Sequence, residues 1–113
     1  MANNFVNKKV DLTTTDATTL YTVPDATTAI VKSILVSDDS GSGSTITITV
    51  TTPLEAVFSV AYLKTISANT PTEIITNPLI VETGEIVKVT AGSANRLHVI
   101  LSAMEVTPRT VTT

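Results

Sequence analysis

The run Thr45-Ile46-Thr47-Ile48-Thr49-Val50-Thr51-Thr52 constrains this chain more than any other stretch. It alternates β-branched apolar and β-branched polar residues without a break. In a strand, that period of two places Ile46, Ile48 and Val50 on one face and Thr45, Thr47, Thr49 and Thr51 on the other. A helix would scatter the same apolar groups around its axis. Both residue types are stiff at χ1 and suit a pleated backbone. The stretch is therefore a strand with one dry face and one wettable face. Across the 113 residues, Thr, Val and Ile number 23, 14 and 10, so the same preference extends over the whole chain.

Strand signals recur between turn residues. Leu20–Val23 stops at Pro24, and Pro24-Asp25-Ala26 turns into an apolar strand from Ala29 to Val36. Asp38-Asp39-Ser40-Gly41-Ser42-Gly43-Ser44 is a hairpin loop into the Thr/Ile strand, which Pro53 closes. Ala56–Leu63, Thr72–Thr76, Leu79–Val81, Ile86–Thr90 and Arg96–Val106 follow, separated by Asn-, Gly- and Pro-bearing turns. About eight strands with turns every 8–12 residues predict an all-β fold. The expected form is an antiparallel β-sandwich of jelly-roll or immunoglobulin-like topology, because each sheet then hides its apolar face against the other. Alternation assigns Ile46, Ile48, Val50, Val99 and Leu101 to the core, and the apolar surroundings of Phe58 and Tyr62 place these there too. The expected division is an N-terminal arm over residues 1–17, a single sandwich domain over 18–107 and a polar tail over 108–113.

Composition narrows the function. Charged residues make up 15% of the chain, aromatics 4%, and the net charge is −3. That is the opposite of the basic, aromatic surface that meets phosphates and stacks bases, so no nucleic-acid partner is expected. Cysteine is absent, which removes disulfides and thiolate metal sites. The first residues lack the apolar core of a signal peptide, and no run approaches the ~20 apolar residues of a membrane span. Synthesis in a cytoplasm, with no membrane partner, is the expectation.

Catalytic constellations are sparse. His98 is the sole histidine, and alternation puts it with Ile100 on the less buried face of its strand. It reads as a half-exposed strand residue rather than a general acid–base. Ser33, Ser59 and Ser102 lie inside strands without a Gly-x-Ser-x-Gly elbow, and only His98 could serve them as a histidine base. Asp38 and Asp39 open an acidic Gly/Ser loop, but the spacing and closing Glu of a calcium-binding EF-hand loop are missing, so they read as turn residues and solubility charges. Glu82 and Glu85 flank a turn at Gly84. No enzyme, cofactor or metal is expected.

One feature points outward. From Ser40 to Leu63 the only charged residue in 24 is Glu55. Strands so apolar are hazardous at a free edge, unless they are central or a neighbouring subunit covers them. The arm carries Phe5 and Val6 within an otherwise polar segment, and these two are the candidate assembly contacts.

The segments Thr19-Leu20-Tyr21-Thr22-Val23-Pro24 and Thr28-Ala29-Ile30-Val31-Lys32-Ser33-Ile34 resemble the opening of small virion proteins of tailed bacteriophages. Pro78-Leu79-Ile80-Val81-Glu82-Thr83-Gly84-Glu85-Ile86-Val87-Lys88-Val89 is similar to their pattern of apolar pair, acidic-Gly turn and strand. Ala91-Gly92-Ser93-Ala94-Asn95, with the strand ending in Met104-Glu105-Val106, extends the likeness to about residues 18–107. The resemblance implies an all-β accessory component of head, neck or tail, of the kind found in cyanophages. It implies a homo-oligomer that contacts major capsid or tail proteins in the virion, with no catalytic residues. A capsid decoration or cement role fits a small chain with an arm. A tail, neck or fibre component is the alternative, and a glycan-binding sandwich module is the alternative from another class.

Overall fold

In the computed structural model, which describes residues 2–107, the chain folds into nine strands. They are β1 (Ala2–Leu12), β2 (Thr18–Thr22), β3 (Thr28–Asp38), β4 (Ser44–Thr51), β5 (Val57–Ile66), β6 (Pro71–Glu73), β7 (Leu79–Val81), β8 (Ile86–Ala91) and β9 (Leu97–Thr107). One sheet has the order β1-β9-β3-β6, with β7 also pairing with β3; the other has the order β2-β8-β4-β5. All pairings are antiparallel. The expected all-β sandwich is present, and its topology resolves the alternative left open by the sequence. β6 and β7 pair with separate stretches of β3, at Leu35–Ser37 and Ala29–Val31, and act as one interrupted strand. Counted so, the sheets run 1-8-3-6 and 2-7-4-5, which is jelly-roll order. Only β4 and β5 form a hairpin within one sheet; the other connections cross between sheets, apart from β6 to β7.

The core follows the period-two pattern. Along β4, Ile46, Ile48 and Val50 are buried and the intervening threonines are half-exposed. Along β9, Leu97, Val99, Leu101 and Ala103 are buried, and His98, Ile100, Ser102 and Met104 face the other way. These two strands meet Ile34 and Val36 of β3 and Val87 and Val89 of β8 in a single cluster. Tyr21 of β2 bridges the sheets, its hydroxyl donating to Oε2 of Glu105 on β9 at 2.5 Å. Burial first, and then this hydrogen bond, push the Tyr21 hydroxyl well above the ordinary phenol range, so it remains a donor.

Two expectations change. Residues 2–12, read as part of an arm, form the edge strand β1 and pair with β9 from Ala2–Thr107 to Leu12–Leu97. The inward set Val6, Val10 and Leu12 drives this docking, with Leu12 fully buried and the other two packed against the core. Residues 13–17 are the connection to β2. The expected tail over 108–113 lies outside the described residues. Phe58 and Tyr62 are not core residues: they are 62% and 73% exposed. β5 is an edge strand: Phe58 lies opposite Val50 at the open rim of the inner face, whereas Tyr62 lies opposite Thr47, on the outer face.

Candidate assembly surface

Register separates the two residues proposed as assembly contacts. Val6 lies opposite Ala103 and beneath the sheet, half-buried against the core. Phe5 lies opposite Met104 on the outer face and is 76% exposed. Met104 in turn pairs with Ile30 of β3, and Ile30 with Ile80 of β7. Residues directly opposite one another in a ladder share a face. Phe5, Met104, Ile30 and Ile80 therefore form one apolar row across four strands, with its two ends most exposed. Beside it, a shallow recess of about 270 Å³ is lined by Phe5, Val6, Asn7, Lys32, Ser102 and Ala103. The sequence reading found Phe5 but not the row, because the row exists only through register.

A second apolar surface follows β5. Leu54, Val57, Phe58, Tyr62 and Leu63 are each more than half exposed. The strand is irregular: its pairing with β4 shifts between Ile46 and Ile48 and again between Ile48 and Thr49, and Leu63 has φ 48°. One bulge turns both Val60 and Ala61 toward the core, which breaks strict alternation along the strand.

The polar candidates are accounted for by local structure. His98 is half-exposed as expected, and its Nε2 lies 3.3 Å from Oδ1 of Asp11 and its Nδ1 3.7 Å from Oδ2 of Asp39. The two carboxylates sit on opposite edges of the ring, so one cation could not take both together with an imidazole nitrogen. Ser37 lies opposite His98 on β3, completing a row of Asp, His and Ser, but both ring nitrogens are turned to carboxylates rather than to that hydroxyl. The recess at His98, of about 280 Å³, is lined by Lys9, Val10, Asp11, His98, Val99 and Ile100 and is open to solvent. Ser33 donates to Oε1 of Glu73 at 2.5 Å, and Oε2 of the same carboxylate accepts from the Ile34 N–H at 2.9 Å. Glu73 thereby holds the bulge in β3 beside Ser33. Ser59 is exposed on β5, and Ser102 is half-exposed at the wall of the Phe5 recess. Glu85 folds back to accept from the Glu82 N–H at 2.7 Å, closing the turn at Gly84. Among the described residues, no buried side-chain polar atom lacks a partner and no cluster could hold a metal ion.

Asp38 departs from its reading as a solubility charge. It is buried, and its carboxylate accepts from the Ser40 hydroxyl at 2.6 Å and from the N–H groups of Ser40, Gly41, Gly43 and Asn69 at 3.1–3.2 Å. It joins the β3–β4 loop to the β5–β6 loop. The Ser40 hydroxyl, followed by the Asn69, Ser40 and Gly43 N–H groups, holds this carboxyl well below the ordinary range, against the opposing effect of burial. A carboxyl whose folded value is depressed contributes its stability above the unfolded value, about 3.9, and loses it as pH falls toward the folded value. Denaturation midpoints measured from pH 7 downward should therefore fall below about pH 4. Asp38→Asn should be less stable at pH 7 and show a shallower acid dependence. Identical slopes for the two proteins would remove Asp38 from this role.

Neither the comparison with protein-family models nor that with curated proteins finds a match for this chain.

Proposed function

We propose that this chain is a non-enzymatic structural subunit of a bacteriophage virion, present in many copies, with capsid decoration or cement as its role. The observation that carries the assembly reading is the Phe5–Met104–Ile30–Ile80 row, an apolar band on the outer face of a sheet. Soluble monomers rarely leave contiguous apolar patches of several hundred Å² without a binding role. The virion reading rests on the sequence resemblance. Jelly rolls serve in capsids, but also in lectins and cupins, so the fold alone does not choose. A capsid gene beside this one would agree with a head component, and a baseplate or fibre gene would favour a tail, neck or fibre component.

The experiment is addition of Phe5→Ser and Ile80→Ser proteins to particles that lack the subunit. Both side chains are more than half exposed, so each change should alter folding stability by less than about 1 kcal/mol. Binding to the particle should fall at least about tenfold, the equivalent of 1.4 kcal/mol from one buried aromatic or aliphatic side chain. Undiminished binding by both variants would move the contact to another face. A second reading, a glycan-binding module, gains from the exposure of Phe58 and Tyr62, since sugar rings stack on exposed aromatic faces. A glycan array with hits abolished by Tyr62→Ala would support it.

A further inference from the structure

The two ends of the sandwich differ in chemistry. The β1–β2, β3–β4, β5–β6 and β8–β9 connections gather at one end, because the strands they join pair at that level. They consist of Thr, Ser, Asn, Asp, Gly and Ala, with Arg96. The β2–β3, β4–β5 and β7–β8 turns gather at the other end. There Leu54, 93% exposed, stands in the β4–β5 turn with Pro53 and Ala56, and Val57 and Phe58 follow, each more than half exposed. Turn tips ordinarily carry Gly, Asn, Asp or Ser.

Backbone conformation shows the same contrast. At the polar end, positive φ falls to Gly41, Gly43, Asn69 and Asn95, which tolerate it. At the apolar end it falls to Gly84 but also to Ala26 and Glu55, at 54° and 65°. Such strain persists only where the surroundings hold it, and these turns are fastened together. The Val23 N–H donates to the Glu85 carbonyl at 3.0 Å, and the Gly84 N–H to the Val23 carbonyl at 3.1 Å. Thr83 Oγ1 accepts from the Thr27 N–H at 3.0 Å and donates to the Thr27 carbonyl at 2.6 Å. Pro53 lies against Gly84, where a Cβ would come within 3.1 Å of its Cγ. The three turns form one platform, which keeps the ordering cost of binding small.

We propose that this end of the sandwich docks end-on against a protein surface with an apolar centre and a rim of Lys or Arg, leaving the polar end outward. The proposal rests on the virion reading for placing that surface on a particle. Charge selects the partner. The three turns carry Asp25, Glu55, Glu82 and Glu85 and no Lys or Arg. Like charges oppose an end-to-end contact between two copies, and equally a contact with anionic lipid. A basic rim is complementary, and Leu54 with Phe58 supplies the desolvated centre. Phe5 and Ile80 are level with Ile30, two residues from the start of β3, so the apolar row forms a shoulder of this end.

The test uses particles that lack the subunit. Leu54→Ser and Phe58→Ser should each weaken binding at least about tenfold while leaving a β-type circular dichroism spectrum. Asp25→Lys and Glu82→Lys should each weaken it about fivefold, and binding of the unaltered chain should weaken as salt rises from about 50 to 500 mM. Thr15→Lys and Ser67→Lys, at the polar end, should leave it within about twofold. The chain has no cysteine, so Ala56→Cys and Ser67→Cys each place a single thiol at one end. On the particle the first should be shielded from a maleimide and the second should react freely. Reversed shielding would overturn the end-on contact, as would binding untouched by both Leu54→Ser and Phe58→Ser. Loss of binding through Phe5→Ser and Ile80→Ser alone would overturn it too, while leaving the virion reading in place. Binding indifferent to salt and to the Lys variants would overturn the basic rim. Self-association in light scattering that Leu54→Ser abolishes would assign the end to a second copy and overturn the partner. An unaltered chain that does not bind the particles would instead overturn the virion reading, and this partner with it.

Discussion

Replacing Ile48 with alanine should destabilise the fold by about 2–5 kcal/mol, the range for removing most of a fully buried aliphatic side chain. Ile48 has no exposed surface, and its strand β4 lies between β8 and β5, so both flanks are fixed by backbone ladders. It stands opposite Val89 on one side and Ala61 on the other. Small neighbours such as Ala61 cannot expand to fill a void, and the ladders prevent the strands from closing in. The cost should therefore fall in the upper half of the range. Thr49→Ala, one residue along and on the outer face, should cost less than about 1 kcal/mol. Urea titration would show the difference as a shift of midpoint at constant slope. An Ile48→Ala protein as stable as Thr49→Ala would mean that this strand does not face the core.

How much of this could be read from the chain depended on whether burial was a local property. β4 and β9 were legible because strict alternation has only one orientation that keeps Ile48 or Val99 dry. β1 was missed because Lys8 interrupts its inward set of Val6, Val10 and Leu12, so the segment resembles a polar arm with one apolar pair. Lys8 tolerates that position because an edge strand leaves it exposed to water. Phe58 and Tyr62 were misplaced for a non-local reason. Their strand is apolar, but it is an edge strand with two bulges: Phe58 lies opposite Val50 at the open rim of the inner face, and the bulges put Tyr62 opposite Thr47, on the outer face. The jelly-roll order was equally hidden, since both candidate topologies use the same alternating strands. The site divides similarly. Phe5 stood out as an apolar residue in a polar segment, whereas Met104, Ile30 and Ile80 join it only once register is known. Asp11 and His98 are distant in sequence and meet through the β1–β9 ladder.

A demanding backbone position is Gly43, and Gly43→Ala should cost about 2–5 kcal/mol. Its φ is +70°, where a side chain bearing Cβ loses about 1–2 kcal/mol against the following carbonyl. A Cβ built there would also lie 2.8 Å from the Ile66 carbonyl oxygen and 3.4 Å from the Ala68 nitrogen, both backbone atoms. Relief requires the loop to move, and the loop is held. The Gly43 N–H donates to Asp38 at 3.2 Å, and its carbonyl accepts from Nη1 of Arg96 at 3.0 Å. On the other side, Ile66 is anchored by pairing with Ser44 and by complete burial of its side chain. Any shift that spares the alanine methyl therefore weakens the Asp38 network or the start of β4. Gly41 supplies the control, because its φ of +82° carries a similar conformational cost while its Cβ would meet only the Asn69 side chain, at 3.8 Å. Gly41→Ala should lose about 1–2 kcal/mol, leaving a gap between the two variants that measures the backbone clash alone. Equal losses in a urea titration would show that Gly43 does not pack against the Ile66 carbonyl, and that the loop approaches β5 more loosely than this structure places it.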